Sequence, residues 1–136
     1  MNIEIESSLH WVRAISDWGM AILVWVVQFY VYPSFREVKA GLFVDWHKRY
    51  MNRIAWMVGP LMIGQLAAGA GLLLTDASMP SIIYAALVGA TWILTGLVAA
   101  PLHRNLQDLG KDSRTISGLI AWNWPRTVLW TAIIFV

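Results

Sequence analysis

From Ile54 to His103 the only charged residue is Asp76. A water-soluble domain carries charge at about a quarter of its positions, and no soluble fold hides a stretch this apolar. Divided at Asp76 to Pro80, it reads as two runs of the roughly 20 residues that an α-helix needs to cross the hydrocarbon core of a bilayer. The rest of the chain agrees: 58% of it is hydrophobic, 13% is charged and the mean hydropathy is +0.57. Four such spans use up most of the 136 residues. The expected fold is therefore all-α, an integral membrane four-helix bundle in a single transmembrane domain, residues 1–136.

The expected spans are about Leu9 to Tyr32, Ile54 to Thr75, Ser81 to Leu102 and Ser113 to Val136. The first helix has room to continue to Val38, and a helical lead-in from Asp45 precedes the second. Asp112-Ser113 is a cap signal for the last. Gly41 and Gly110 are natural helix stops, and Pro125 predicts a kink. The link between the second and third spans is short, which makes them antiparallel neighbours. Gly64, Ala67, Ala68 and Gly71 in the second span, and Gly89 and Gly96 in the third, are small residues of the kind that let helices approach closely in lipid.

Basic residues set the expected direction. Arg36, Lys39, Lys48, Arg49 and Arg53 lie in or beside loop one, and Arg104, Lys111 and Arg114 in or beside loop three. Loop two has none, and the segment before the first span carries Glu4 and Glu6. The positive-inside rule then puts loops one and three in the cytoplasm and both termini outside, with Arg13 and Arg126 as exceptions. Met1 to His10 lacks a basic region ahead of an apolar stretch, so the first span is expected to insert uncleaved. The excess of positive charge reports topology and points to no nucleic-acid partner. There is no cysteine, which excludes disulfides, thiolate metal sites and cysteine nucleophiles.

Polar residues at membrane depth pick out two places. At about 100° per residue, His10, Arg13, Asp17 and Gln28 fall on one stripe of the first span, with Arg13 and Asp17 four apart and able to pair. This outer cluster is either an ion pair holding the helices together or a proton, ion or cofactor site. In the second span His47 and Gln65 share a face, and in the third His103 lies below Gly96 and Trp92. Asn123, Arg126, Thr127 and Trp130 form a face of the fourth. His47, Tyr50, Arg53, His103, Asn105, Asn123 and Arg126 should gather at the cytoplasmic end, with Tyr32 beside them. That cluster is either a polar interfacial belt or a pocket for a head group, quinone, haem or metal. Two histidines on different helices could ligate haem or a metal, but the carboxylates nearby are few, so a di-metal site is not expected. Nine tryptophans are many for this length; Trp25, Trp56, Trp92 and Trp130 fall deepest, suited to packing or to a flat ligand.

Gln28 with Tyr32-Pro33, then Asp45-Trp46-His47 with Arg53 and Trp56, then Pro101-Leu102-His103-Arg104-Asn105, and Asn123-Trp124-Pro125-Arg126-Thr127 with Trp130, resemble a family of small uncharacterised bacterial four-span membrane proteins near the anthrone-oxygenase-like group. The resemblance spans nearly all of the chain after Trp11. It implies a four-span fold and a bacterial inner-membrane location, and no particular activity. Val31 stands where that family's pattern often has a histidine. Leu9-His10 with Trp18-Gly19 is more weakly similar to small four-span haem-binding protoporphyrinogen oxidases, which implies haem as a candidate cofactor. Small multidrug-resistance transporters share the four short spans and a membrane carboxylate, but not their characteristic motifs.

Three functions are expected on these grounds. The first is an accessory or scaffold subunit of a larger inner-membrane complex, photosynthetic or respiratory, whose partners are the lipid bilayer and other membrane subunits. The second is a membrane oxidoreductase that binds haem, metal or quinone through His47, His103, Tyr50, Arg53, Asn123 and Arg126. The third is a small proton-coupled transporter working through Asp17.

Overall fold

The computed structural model describes residues 3–136, with the side chains of Ile3, Ile5 and Glu6 left aside, so the acidity assigned to Glu6 and the reading of Met1 and Asn2 lie outside the described residues. Four helical rods make up the protein. Rod α1 consists of an α-helix Ile3–Val26, a π-helical turn Val27–Val31 and a last turn Tyr32–Ser34. Rod α2 is the α-helix Ala40–Thr75. Rod α3, Met79–Leu109, is α-helical except for a π-helical turn at Thr95–Ala99. Rod α4 is Ser113–Ile133. There is no strand among the described residues.

The rods pack in sequence order around a square: α1 on α2, α2 on α3, α3 on α4, and α4 back on α1. Three of them, Ser7–Ser34, Ala40–Thr75 and Met79–Leu109, are long and apolar enough to cross a membrane. The polarity pattern is that of a protein in lipid. Trp56, Leu74, Leu97 and Phe135 are almost fully exposed, whereas Asp17, Gln28, His47, Gln65, Asn123 and Arg126 are buried. So much exposed apolar surface is far beyond the patches of soluble monomers, and polar groups inside lipid turn towards the bundle.

The two π turns have the same cause. Each ends two residues before a proline, Val31 before Pro33 and Ala99 before Pro101. A proline ring collides with the carbonyl four residues back and offers no N–H to it. Widening the preceding turn relieves the collision. The last N–H before each proline bonds five residues back, Tyr32 to the Val27 carbonyl and Ala100 to the Thr95 carbonyl. Pro60 and Pro125 differ, because their helices remain uninterrupted α-helix. Around Pro125 the chain is tied on both sides: Arg126 donates to Asn123 Oδ1, and the Thr127 hydroxyl to the Asn123 carbonyl.

Several boundaries differ from expectation. Gly41 does not stop a helix but is the second residue of α2, where the first-turn N–H groups lack helical partners in any case. The turn comes earlier, closed by bonds from Phe35, Arg36 and Glu37 to the Tyr32, Pro33 and Ser34 carbonyls. Rod α3 runs on past Leu102 to Leu109, and Gly110 ends it at φ 85°, where only glycine is at ease. The Lys111 ammonium donates to the Arg36 and Val38 carbonyls at 2.6 Å, clamping loop three to loop one. Of the small residues, Gly64 and Gly71 do pack, for a Cβ there would run into Ser16 and Leu9 of α1. Gly89 and Gly96 have no such neighbour and face outward.

Candidate functional site

Two polar networks lie inside the bundle, one towards each end. The outer one centres on Asp17 of α1. Its Oδ1 accepts from Gln65 Nε2 of α2 at 2.8 Å and from the Tyr84 hydroxyl of α3 at 3.0 Å. Its Oδ2 takes Arg13 Nε at 3.4 Å, and the same guanidinium lies 4.3 Å from the centre of the Tyr84 ring. The other end of Gln65 accepts from Trp130 Nε1 of α4 at 2.9 Å. One carboxylate thus joins all four rods. His10, expected with Arg13 and Asp17, is exposed; it borders a surface depression beside them but not the network.

The inner network begins where the first π turn carries Gln28 and then Tyr32 into the core. Gln28 donates to the Ile120 carbonyl and accepts from Asn123 Nδ2 at 2.9 Å. Asn123 accepts from Arg126 at 3.1 Å, and the same guanidinium nitrogen reaches the Tyr32 hydroxyl at 3.4 Å. Tyr32 lies 3.1 Å from His103 Nε2, His103 Nδ1 lies 3.0 Å from His47 Nε2, and His47 Nδ1 lies 3.0 Å from Gln107 Oε1. Aromatic rings enclose the two imidazoles. Phe35 meets both edge-on, and Phe43 stacks on His47 at 5.6 Å.

Those distances fix the protons. Gln107 Oε1 can only accept, so His47 carries its hydrogen on Nδ1 and accepts on Nε2. His103 must then donate from Nδ1, and its Nε2 accepts from the Tyr32 hydroxyl. All four imidazole nitrogens are engaged. A haem between the histidines does not fit this arrangement, because their facing nitrogens are in hydrogen-bond contact and no other nitrogen is free. Nor does a metal centre fit, since among the described residues no third histidine, cysteine or carboxylate joins them.

Beside this network is a cavity of about 210 Å³. Its walls are apolar, among them Met20, Val24, Ile54 and Val58. Tyr32, Tyr50, His103, Asn123 and Arg126 make its polar end, with Thr95 of the second π turn on the side. Two polar atoms in this wall, Thr95 Oγ1 and Arg126 Nε, are buried with no hydrogen-bond partner. Buried polar groups are nearly always satisfied, so two orphans on one cavity call for a partner the chain does not supply. The Arg126 guanidinium also lies 5.1 Å from the centre of the Trp130 ring, the point at which the two networks meet.

The expected inner cluster is thus largely assembled: His47, Tyr50, His103, Asn123, Arg126 and Tyr32 come together. Arg53 and Asn105 do not join it and are exposed. In α2, Arg53 is six residues past His47, about 120° round the helix from it. Asn105 is two past His103, on the opposite face. Gln65, grouped with His47 by face, belongs to the outer network. The sequence reading missed Gln107, Tyr84 and Thr95. Gln107 is four past His103 and so on its face, a signal that was there to be used.

The chain matches no protein-family model, no curated protein and no solved structure.

Proposed function

We propose that this protein is a four-span membrane protein that binds a lipid-soluble, ring-headed molecule of the quinone and phenol class in the inner cavity. The observation that carries the reading is the pair of unpartnered buried atoms, Thr95 Oγ1 and Arg126 Nε, on two residues that line one cavity. The Arg126 guanidinium can only donate, so the occupant presents an acceptor oxygen towards it. A cavity of about 150 Å³ already holds benzene, so about 210 Å³ takes a single substituted ring. The way in is sideways from lipid. The π turn Thr95–Ala99 has no Cα within 8 Å of α2, and the small residues Ala55, Ala99 and Ala100 border the gap.

In this reading α4 is the fourth span. At about 1.5 Å per residue its 21 residues match a hydrocarbon core of about 30 Å. Asn123, Arg126 and Thr127 are buried, while Trp122, Trp124 and Val128 are exposed. Loops one and three are cytoplasmic, both termini are outside, and the membrane is the bacterial inner membrane. The protein has no cysteine, so Lys39→Cys and Asp76→Cys test the topology directly. An impermeant thiol reagent should label the first only from the cytoplasmic side and the second only from outside; the opposite pattern overturns the orientation.

The binding test is quenching of tryptophan fluorescence by a short-tailed benzoquinone in detergent. Saturable quenching, weakened at least tenfold in Arg126→Met, is the expected result. Equal quenching in wild type and the Arg126→Met, Thr95→Val double variant would mean simple partitioning and end the proposal.

An accessory role in a larger membrane assembly is the second reading. It is favoured by the aromatic cluster on the outer face of α1 and α4, where Trp25, Phe29 and Trp124 lie 5.6–6.0 Å apart, centre to centre, and remain exposed. Native mass measurement after mild extraction tests it: co-purifying subunits support it, and a lone monomer under every gentle condition removes it.

A further inference from the structure

We infer that Tyr32, His103 and His47 form a proton path leading from the cavity to the water-facing end of the bundle, by which a ring hydroxyl bound in the cavity loses its proton. The inference rests on the cavity being a ligand site, as proposed above. Its own grounds are the direction of the bonds and the position of His103.

The direction is set at Gln107. Because Gln107 Oε1 accepts, every hydrogen in the row points one way: Tyr32 O–H to His103 Nε2, His103 Nδ1–H to His47 Nε2, His47 Nδ1–H to Gln107. A hydroxyl in the cavity can donate to the Tyr32 oxygen. Its proton then moves onto Tyr32, the Tyr32 proton onto His103, the His103 Nδ1 proton onto His47, and the His47 Nδ1 proton passes to a water that enters from the open depression as Gln107, which borders it, swings aside. The balance is a ring hydroxyl giving a ring oxyanion and one proton in water. No electron moves and no co-reactant is needed. The oxyanion is left beside the Arg126 guanidinium, which lines the cavity.

His103 stands between two spaces. It lines the cavity, and it also lines an open depression of about 430 Å³ bordered by Lys48, Asn52, Arg104 and Gln107. Only Met51 and Ala100 share that position with it. His103 itself is 7% exposed and His47 not at all, so the imidazoles exchange protons through each other and not by direct wetting. Tyr32 from α1 and Tyr50 from α2 pack against the pair, Arg126 from α4 lines the cavity with His103, and Lys48 and Arg104 border the open depression. His47 does not line the cavity and acts only through His103.

The test uses 4-nitrophenol, a single ring whose ionised form is coloured. It is mixed rapidly with the wild-type protein in weakly buffered detergent solution with a pH dye present. We expect the bound probe to turn yellow at a lower pH than the free probe, with one proton released per probe bound. Release should slow in deuterium oxide. In His47→Gln, which keeps donor and acceptor groups but cannot relay, release and colour should both slow by roughly a hundredfold, within the usual range for lost acid–base assistance, while quenching of tryptophan fluorescence still reports uptake. Should His47→Gln not fold, wild-type release with no deuterium effect would by itself overturn the path. Equal release rates in wild type and a folded His47→Gln would overturn it too, and leave the ligand site standing. Failure of wild type to take up either 4-nitrophenol or the benzoquinone would instead remove the ligand site, and the path with it.

Discussion

The outer and inner networks are built from similar residues and do opposite things with them. Around Asp17 every polar partner is used: Gln65 and Tyr84 share one carboxylate oxygen, Arg13 takes the other, and Trp130 satisfies what remains of Gln65. There is nothing left over, and the result is a joint between four helices. Around Arg126 the bonding stops short. Thr95 and one guanidinium nitrogen are left buried and unpaired beside the cavity. A closed polar network specifies a structure; an open one carries a cost that only a ligand or water recovers. The sequence left the outer cluster two roles, an ion pair holding the helices together or a proton, ion or cofactor site; its carboxylate is the better satisfied of the two charged groups, while the arginine at the other end is the one with bonds to spare.

Substitutions should separate the two ends. The largest effect is expected from Asp17→Leu, which leaves the Gln65 amide and the Tyr84 hydroxyl without an acceptor. At about 1–3 kcal/mol for each buried orphan, the loss is roughly 4 kcal/mol, and thermal melting in detergent reads it. Asp17→Asn keeps an acceptor oxygen for both and should lose far less. If the two variants melted alike, the outer network would be a charge site and not a joint. Next is Arg126→Met, which should lose about 1 kcal/mol without ligand, since Asn123 Oδ1 loses its donor while the cost of an incompletely paired buried charge is relieved. It should nonetheless lose quinone binding; a large fall in ligand-free melting would erase the distinction between the ends. Thr95→Val is smaller again: it removes an unpaired hydroxyl at nearly constant volume, so it should melt slightly higher and bind a few-fold more weakly by fluorescence titration.

The smallest effect lies outside both networks. Asp112 caps α4, accepting from the Thr115 hydroxyl at 2.5 Å and its N–H at 2.8 Å. Those bonds hold its carboxyl below its usual value of 3.8. A depressed acid stabilises the fold above that usual value and stops doing so as pH falls through the folded one. Asp112→Ala should therefore melt lower than wild type at neutral pH and no lower in strong acid. A gap that persisted in strong acid would mean that the cap acts by shape and not by charge.

Much of this was legible in the sequence. Apolar runs gave the rods, and the short link from Asp76 to Pro80 gave the second and third as neighbours. The stripe of Asp17 and Gln28 and the face of Asn123, Arg126 and Thr127 did turn inward, because polar side chains in lipid have nowhere else to go. Grouping by face has a limit, and Gln65 shows it. A face eighteen residues long runs the height of the bundle, so residues on it can belong to different ends. His10 sits on the right stripe but too near the helix end to be covered. Tyr84 and Thr95 give no signal on their own, since one tyrosine or threonine in an apolar run reads as packing. The cavity was hidden for another reason: a π turn adds no residue type of its own, and the two prolines that cause it stand out in the sequence only as parts of motifs.

Those prolines make the hollow heritable in a simple form. Replacing Pro33 or Pro101 by a residue with an N–H allows the preceding turn to tighten from π to α, and every side chain beyond it then swings round the axis. Tyr32 and His103 are the residues placed just past these turns. Two positions in the chain therefore decide together whether the interior is hollow and whether its polar end is dressed. Pro60 and Pro125 sit in unbroken α-helix, so it is the setting of Pro33 and Pro101, and not proline as such, that widens the turn.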